Sequence, residues 1–329
     1  MQQARPKKIV YLFGAGATHA ELDNLDSTLV EKGRGLLMRD VSRRVIERAG
    51  ADDKYVKDLE TVSATSGSPN IELLISLVEQ SKIDGWEYKT QTLKDLVRRD
   101  IESILTRPRT DRFYLHKALF ELHRHRSVLP QERVTGLISL NYDDVLDRAY
   151  GEYYGNPNYC FSLEGNAPAQ KALPLLKLHG SFNWRKQEIR GRFRRIEIIP
   201  LGANKNYLHA PYAFIWNRAL ETLIECDTLR VIGCSLSQND AHLIDLLFKA
   251  HLERRDAFDM EIIGSPRLGE QIRNNYGFFP KIKTLAEIQG PMIAEPDSKN
   301  PFKVWLKYKI DGMIKGGKNH TKYLKAAIK

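Results

Sequence analysis

The chain has 329 residues, 42% hydrophobic and 28% charged, with a formal net charge of +10. That balance excludes a disordered chain and supplies apolar surface for a full core. At roughly 150 residues per domain, the length fits two units or one large α/β domain with an insertion.

Residues Lys8 to Phe13 form a short, β-branched apolar run that ends in Gly14-Ala15-Gly16-Ala17-Thr18. This reads as a buried strand entering a glycine turn. From about residue 28 to 125 the pattern is helical, with helices expected at Leu29 to Arg48, Ile71 to Gln80, Thr90 to Leu105 and Asp111 to His123. Ser63 to Asn70 reads as a loop, with Ser68 or Asn70 capping the helix that follows. A second strand, Val134 to Leu140, ends in Asn141-Tyr142-Asp143-Asp144, and Val145 to Tyr150 begins a helix. Gly151 to Pro174 is loop-like. Leu175 to Leu178 is a third strand, ending in His179-Gly180-Ser181, and Ile196 to Ile199 is expected in a small hairpin. The order then runs helix (Tyr212 to Cys226), strand (Leu229 to Ile232, ending in Gly233-Cys234-Ser235-Leu236), helix (Asp240 to Arg254) and strand (Met260 to Ile263).

Strands alternating with helices predict a Rossmann-like α/β fold. Its sheet should be mostly parallel, with helices on both faces and a helical insertion at about 28–125. The division expected is 1–290 for this body and 291–329 for a basic C-terminal extension. Four strands end in glycine or polar clusters, and such sheets bind ligands outside the carboxyl ends of their strands. Four clusters converging on one crevice point to a nucleotide-type ligand.

Taken in order, these clusters resemble those of the sirtuin-like NAD-binding family. The first glycine motif, Asn141-x-Asp143, His179-Gly180 and Gly233-Cys234-Ser235 each match a family motif. The resemblance spans roughly Lys8 to Ile263 and is carried by the motifs alone. It implies NAD as substrate. Gly14, Ala15, Gly16, Thr18, Gly233 and Ser235 would hold the dinucleotide, and Asp143 would lie near the carboxamide. Asn141 would order the ribose and the attacking water, and His179 would act as base. The bland alternatives are a turn for the glycines, a cap for Asn141 or Asp143, and a structural strand histidine for His179. His19 reads as a surface residue, Cys234 as a small buried one and Asp240 as a helix cap.

The departures also direct the reading. Cys160, Cys226 and Cys234 form no Cys-x-x-Cys pair, so no zinc ribbon and no metal are expected. The long helical insertion is further from protein deacetylases. It is closer to the sirtuin-like NAD-hydrolysing effectors of bacterial anti-phage defence. The function expected is therefore an NAD glycohydrolase. The alternatives are a deacylase or ADP-ribosyltransferase, and a non-catalytic NAD- or ADP-ribose-binding module. A dehydrogenase ranks lower, because the third glycine of G-x-G-x-x-G is missing.

Control of such an enzyme would come from homo-oligomerisation or from a partner such as a helicase-like ATPase or an Argonaute-type protein. No apolar run reaches the ~20 residues of a membrane span. The polar, basic stretch Met1 to Lys8 does not read as a secretory leader, so the expected location is the cytoplasm. Two basic runs stand out, Arg185 to Arg195 and Phe302 to Lys329; the latter holds eight lysines and one acid. The C-terminal run reads first as a solvated tail. Its sharper reading is a docking segment for a partner or, as a minority view, nucleic acid. On that basis truncation after Asn300 should leave the NAD site formed.

Overall fold

The computed structural model describes residues 5–52, 70–80, 86–106, 110–124, 131–161, 172–184, 187–189, 192–194, 207–237, 240–254, 258–289, 299–314 and 322–328. The strands are β1 (Lys7–Phe13), β2 (Glu132–Ser139), β3 (Leu175–Lys177), β4 (Gln187–Ile189), β5 (Arg192–Arg194), β6 (Thr228–Ile232), β7 (Asp259–Ile263) and β8 (Ile282–Thr284). The helices are α1 (Ala15–Leu25), α2 (Ser27–Leu29), α3 (Met38–Asp52), α4 (Ile71–Gln80), α5 (Trp86–Thr106), α6 (Leu115–Arg124) and α7 (Val145–Tyr154), then α8 (Tyr212–Glu225), α9 (Ala241–Glu253), α10 (Pro266–Asn275), α11 (Leu285–Gln289), α12 (Pro301–Ile314) and α13 (Lys322–Ile328).

Six strands form one parallel sheet of order β3-β2-β1-β6-β7-β8, and β4 pairs with β5 as a separate antiparallel hairpin. This is the doubly wound α/β arrangement the sequence predicts. Strand order reverses between β1 and β6, the point where such sheets open a crevice. Burial explains the apolar run of β1. Ile9, Tyr11 and Phe13 enter one core cluster, while Val10 and Leu12 enter the other. Ile215 and Leu223 of α8 and Leu243 and Leu247 of α9 cover the second face. Leu119 of α6, Tyr150 of α7 and Trp305 of α12 cover the first.

The insertion has a core of its own, in which Val45, Leu74, Val97 and Ile104 pack together with Leu22 of α1 and Val145 of α7. Its first helix starts later than the periodicity suggests. Lys32 and Gly33 leave helical geometry, with Gly33 at φ +71°, and α3 begins only at Met38. The side chain of Asn70 caps α4, accepting from the backbone N–H of Glu72 and Leu73 at 3.1 Å each. The strand expected at Ile196 to Ile199 lies outside the described residues. The elements from α10 to α11 carry no expectation, although Ser265-Pro266 is a readable helix start. Ser265 Oγ accepts from Leu268 N at 3.3 Å, and Pro266 opens the helix.

The C-terminal segment requires a correction. Phe302, Trp305, Leu306 and Ile310 are at most 2% exposed and belong to the core. The buried guanidinium of Arg230 lies 5.6 Å from the Trp305 ring and 5.7 Å from that of Tyr11. It also bridges Glu132 at 2.6 Å and Glu261 at 2.5 Å. Residues 301–314 are a core helix, because their apolar residues recur at helical spacing; Lys307 is exposed, while Lys309 is partly buried, 5.9 Å from the Trp305 ring.

Candidate functional site

The turns after β1 and β6 lock into each other. Gly14 N–H donates to Ile232 O at 3.0 Å and Gly16 N–H to Gly233 O at 2.8 Å. A Cβ on Gly14 would sit 2.6 Å from Cys234 Cα, and one on Gly233 would sit 2.2 Å from Ala17 N. Gly233 also has φ +58°. Glycine is therefore required there first by backbone meeting backbone, before any ligand is considered.

The turn after β2 is wired into this lock. Asn141 Nδ2 donates to Gly14 O at 3.0 Å and to Thr18 Oγ1 at 3.1 Å. The Thr18 hydroxyl donates in turn to the Asp143 carboxylate at 3.0 and 3.2 Å. Asp143 also accepts from Val145 N at 3.0 Å, opening α7. Burial pushes the Asp143 carboxyl up, and the Lys177 cation opposes that shift. The fully buried Lys177 ammonium donates to Asp143 O, and to Asp147 Oδ2 at 2.8 Å. One lysine on β3 thus braces the turn that carries Asn141 and Asp143.

His179 follows β3, and Gly180 at φ +84° lets the chain turn away behind it. The imidazole is 0% exposed. Its Nδ1 is 3.3 Å from Leu140 O, and its Nε2 is 3.2 Å from Asp240 Oδ2. Asp240 was expected as a helix cap, and it is one. Its other oxygen accepts from Leu243 N at 3.3 Å at the start of α9. The contact with His179 is its second role. The readable signal is a carboxylate opening a helix shortly after the second glycine turn.

All four turns border one cavity of about 1270 Å³. Gly14, Ala15, Gly16, Asn141, Asp143, His179, Gly233 and Ser235 line it. Thr18 lies behind the wall, 1% exposed, and holds Asn141 and Asp143. His19, expected at the surface, is half-buried and lines the cavity, with Nδ1 accepting from Leu36 N at 3.3 Å. Burial holds its imidazole below the usual histidine value. The Cys234 thiol also lines the cavity, and burial pushes it up to about 12, so it stays protonated. Trp184 is core, edge-on to Phe161 at 4.8 Å.

Three parts of the wall were not foreseen. Ser265 and Leu268 contribute from the start of α10, and Phe302 contributes from α12. Leu36, Met38, Leu73 and Leu77 contribute from the insertion. The described charged lining comprises the carboxylates of Asp23, Glu31, Glu72, Asp143 and Asp240 with the cations Arg39 and Lys299, besides the two histidines. Among the described residues there is no group of His, Cys, Asp and Glu able to hold a metal, and no helix long and apolar enough to cross a membrane.

No family model matches the chain, and no curated protein matches it. Solved structures do. A Sir2 homologue in complex with 2′-O-acetyl-ADP-ribose is 13% identical, with 96% of this chain and 95% of that chain covered and a TM-score of 0.44. A Sir2 homologue in complex with NAD is 14% identical, covering 94% and 90%, with a TM-score of 0.37. Sir2Af2 bound to a myristoylated histone peptide is 15% identical, covering 95% and 94%, with a TM-score of 0.36.

Proposed function

We propose that the chain is an NAD glycohydrolase, cleaving NAD and water to nicotinamide, ADP-ribose and a proton. One observation carries the reading. At the switch point of a parallel sheet, two interlocked glycine turns, Asn141 and His179 border a single cavity large enough for a dinucleotide. The start of α1 at Gly14 to Gly16 faces that cavity and suits the pyrophosphate.

Nicotinamide leaves NAD as a neutral molecule, taking the electron pair of the glycosidic bond. The leaving nitrogen therefore needs no acid. The site has to hold the ribose, stabilise positive charge at its anomeric carbon and deliver water. The buried carboxylate of Asp143 supplies negative potential for the developing cation. Asn141, fixed through its amide nitrogen to Gly14 and Thr18, orients the ribose and the water. In its neutral form, with Nδ1–H toward Leu140 O, His179 takes at Nε2 the proton lost as the new C–O bond forms. Rigid placement of these groups is worth about 7–11 kcal/mol of the barrier in favourable cases.

A second reading uses the same site with another acceptor, as a deacylase or transferase. The apolar wall from the insertion, with Leu36, Met38, Leu73 and Leu77, favours it by offering space beyond the dinucleotide. Unchecked NAD cleavage would drain a cell, so the glycohydrolase reading includes control by self-association or a partner, as in a defence effector. Incubation of the pure protein with NAD, followed by chromatography, tests the proposal. Equal release of nicotinamide and free ADP-ribose supports hydrolysis. Nicotinamide released only with an added acyl-lysine or protein acceptor supports transfer. No release, alone or with co-expressed neighbouring proteins, overturns both.

A further inference from the structure

We propose that Asp240 is a positioning residue for His179, holding the imidazole through Nε2 and setting the pH range over which the ring accepts a proton. This rests on the glycohydrolase reading and adds to it a residue that cofactor contact alone would not identify.

Asp240 divides its two oxygens between two tasks. Oδ1 caps α9 through Leu243 N at 3.3 Å, and Oδ2 lies 3.2 Å from His179 Nε2. The cap does not require a charge, since Asn, Ser and Thr serve there as well. A carboxylate 5% exposed is costly unless a cation or donor compensates it. The imidazole meets that need, and in turn receives a fixed orientation.

Burial of the ring opposes its protonation, and among the described groups beside it the Asp240 carboxylate favours it. On the other side of the ring, Nδ1 faces Leu140 O at 3.3 Å. The rings of Tyr142 and Trp216 flank the imidazole, with centroids at 6.2 and 6.5 Å. The Cys234 thiol and the Tyr276 phenol both sense Asp240. Burial raises both, so both stay neutral through the working range, and the Tyr276 hydroxyl donates to Leu236 O at 3.1 Å. A carboxylate facing Nε2 favours the protonated ring. His179 in the resting protein therefore holds its proton to higher pH than it would beside a neutral cap.

Asp240→Asn keeps the cap and removes the charge. In the full-length protein, the His179 ring resonances are assigned by difference against His179→Gln and titrated by NMR. The midpoint should fall by about 1 pH unit or more in Asp240→Asn. The acid limb of NAD cleavage should move to lower pH by the same amount, while the melting temperature stays near wild type. Asp240→Ser, a second uncharged cap, should reproduce the shift if the Asn variant folds poorly. An unchanged His179 midpoint in either folded variant overturns the proposal and leaves Asp240 as a cap. Absence of nicotinamide release from wild type would instead sink the NAD reading, while the ring titration would still decide the role of Asp240.

Discussion

Asn141 and His179 reach the cavity by different physical routes, and their variants should fail differently. The imidazole is fully buried beside a carboxylate, and on the proposed mechanism removing it deletes the proton acceptor. His179→Ala and the closer-sized His179→Gln should each lower NAD cleavage by about 10²–10⁴-fold, read as nicotinamide release. A circular dichroism spectrum like wild type would establish that the variants fold. Asn141→Ala loses two hydrogen bonds to the Gly14-to-Thr18 turn. It should lose most cleavage yet still bind NAD by calorimetry. Normal cleavage would return Asn141 to the status of a turn residue. Gly233→Ala should do more damage than either, because a Cβ meets Ala17 N at 2.2 Å on a backbone with φ +58°. Left-handed strain alone costs about 1–3 kcal/mol, and the clash adds to it. A melting temperature within error of wild type would refute the interlock. These residues were legible because four glycine or polar clusters at strand ends, taken together, mark a crevice, although each alone reads as a turn or a cap. Thr18 was legible as part of the site, whereas its place behind the wall depends on which way α1 turns, and no local pattern encodes that.

At the level of elements, α12 differs from the solvated tail that its charge suggests. Lysine dominates the composition of residues 302–329, but Phe302, Trp305, Leu306 and Ile310 follow helical spacing. A charge count hides that stripe, and long lysine side chains are compatible with a buried helix face. The insertion shows the converse. Its helices were legible from periodicity, while the break at Gly33 and the turn of its leucines toward the cavity depend on tertiary packing. Burying the four apolar side chains of α12 is worth roughly 1.5–3 kcal/mol each. That total approaches the ~5–15 kcal/mol that holds a whole protein together. Truncation after Asn300 should therefore give insoluble or unfolded protein, contrary to the expectation from charge alone. Trp305→Ala should cost about 3–5 kcal/mol, measured by urea unfolding. A soluble truncated chain with full stability would show that α12 is dispensable.

Across the whole molecule, a charge network under α12 sets the response to acid. His123 Nε2 is 2.7 Å from the Tyr11 hydroxyl, and burial, with the Arg230 cation adding to it, pushes the imidazole down to about 3. The unfolded chain takes up that proton near pH 6.5, so below this point it binds more protons than the folded chain. Stability should fall by about 1.4 kcal/mol per pH unit as pH drops from about 6.5 toward 3. Burial alone would raise the Glu132 carboxyl, but Arg230 holds it below its ordinary value. Its contribution is present above the unfolded carboxylate value and lost as pH falls through the lower folded one, so it extends the loss on the acid side. His123→Gln should flatten the decline between pH 6.5 and 4.5 in thermal melts at several pH values. An equally steep decline would remove His123 as its source. The central place of β1 has a consequence for synthesis. β1 pairs on one side with residues 132–139 and on the other with 228–232, both made after it. Its Tyr11 face is covered by Trp305 of α12, which is made later still. A nascent chain therefore carries β1 uncovered until residues 132–139, 228–232 and α12 have all been made, an aggregation hazard. Its yield should respond to chaperone supply and slower expression more than its finished stability would suggest.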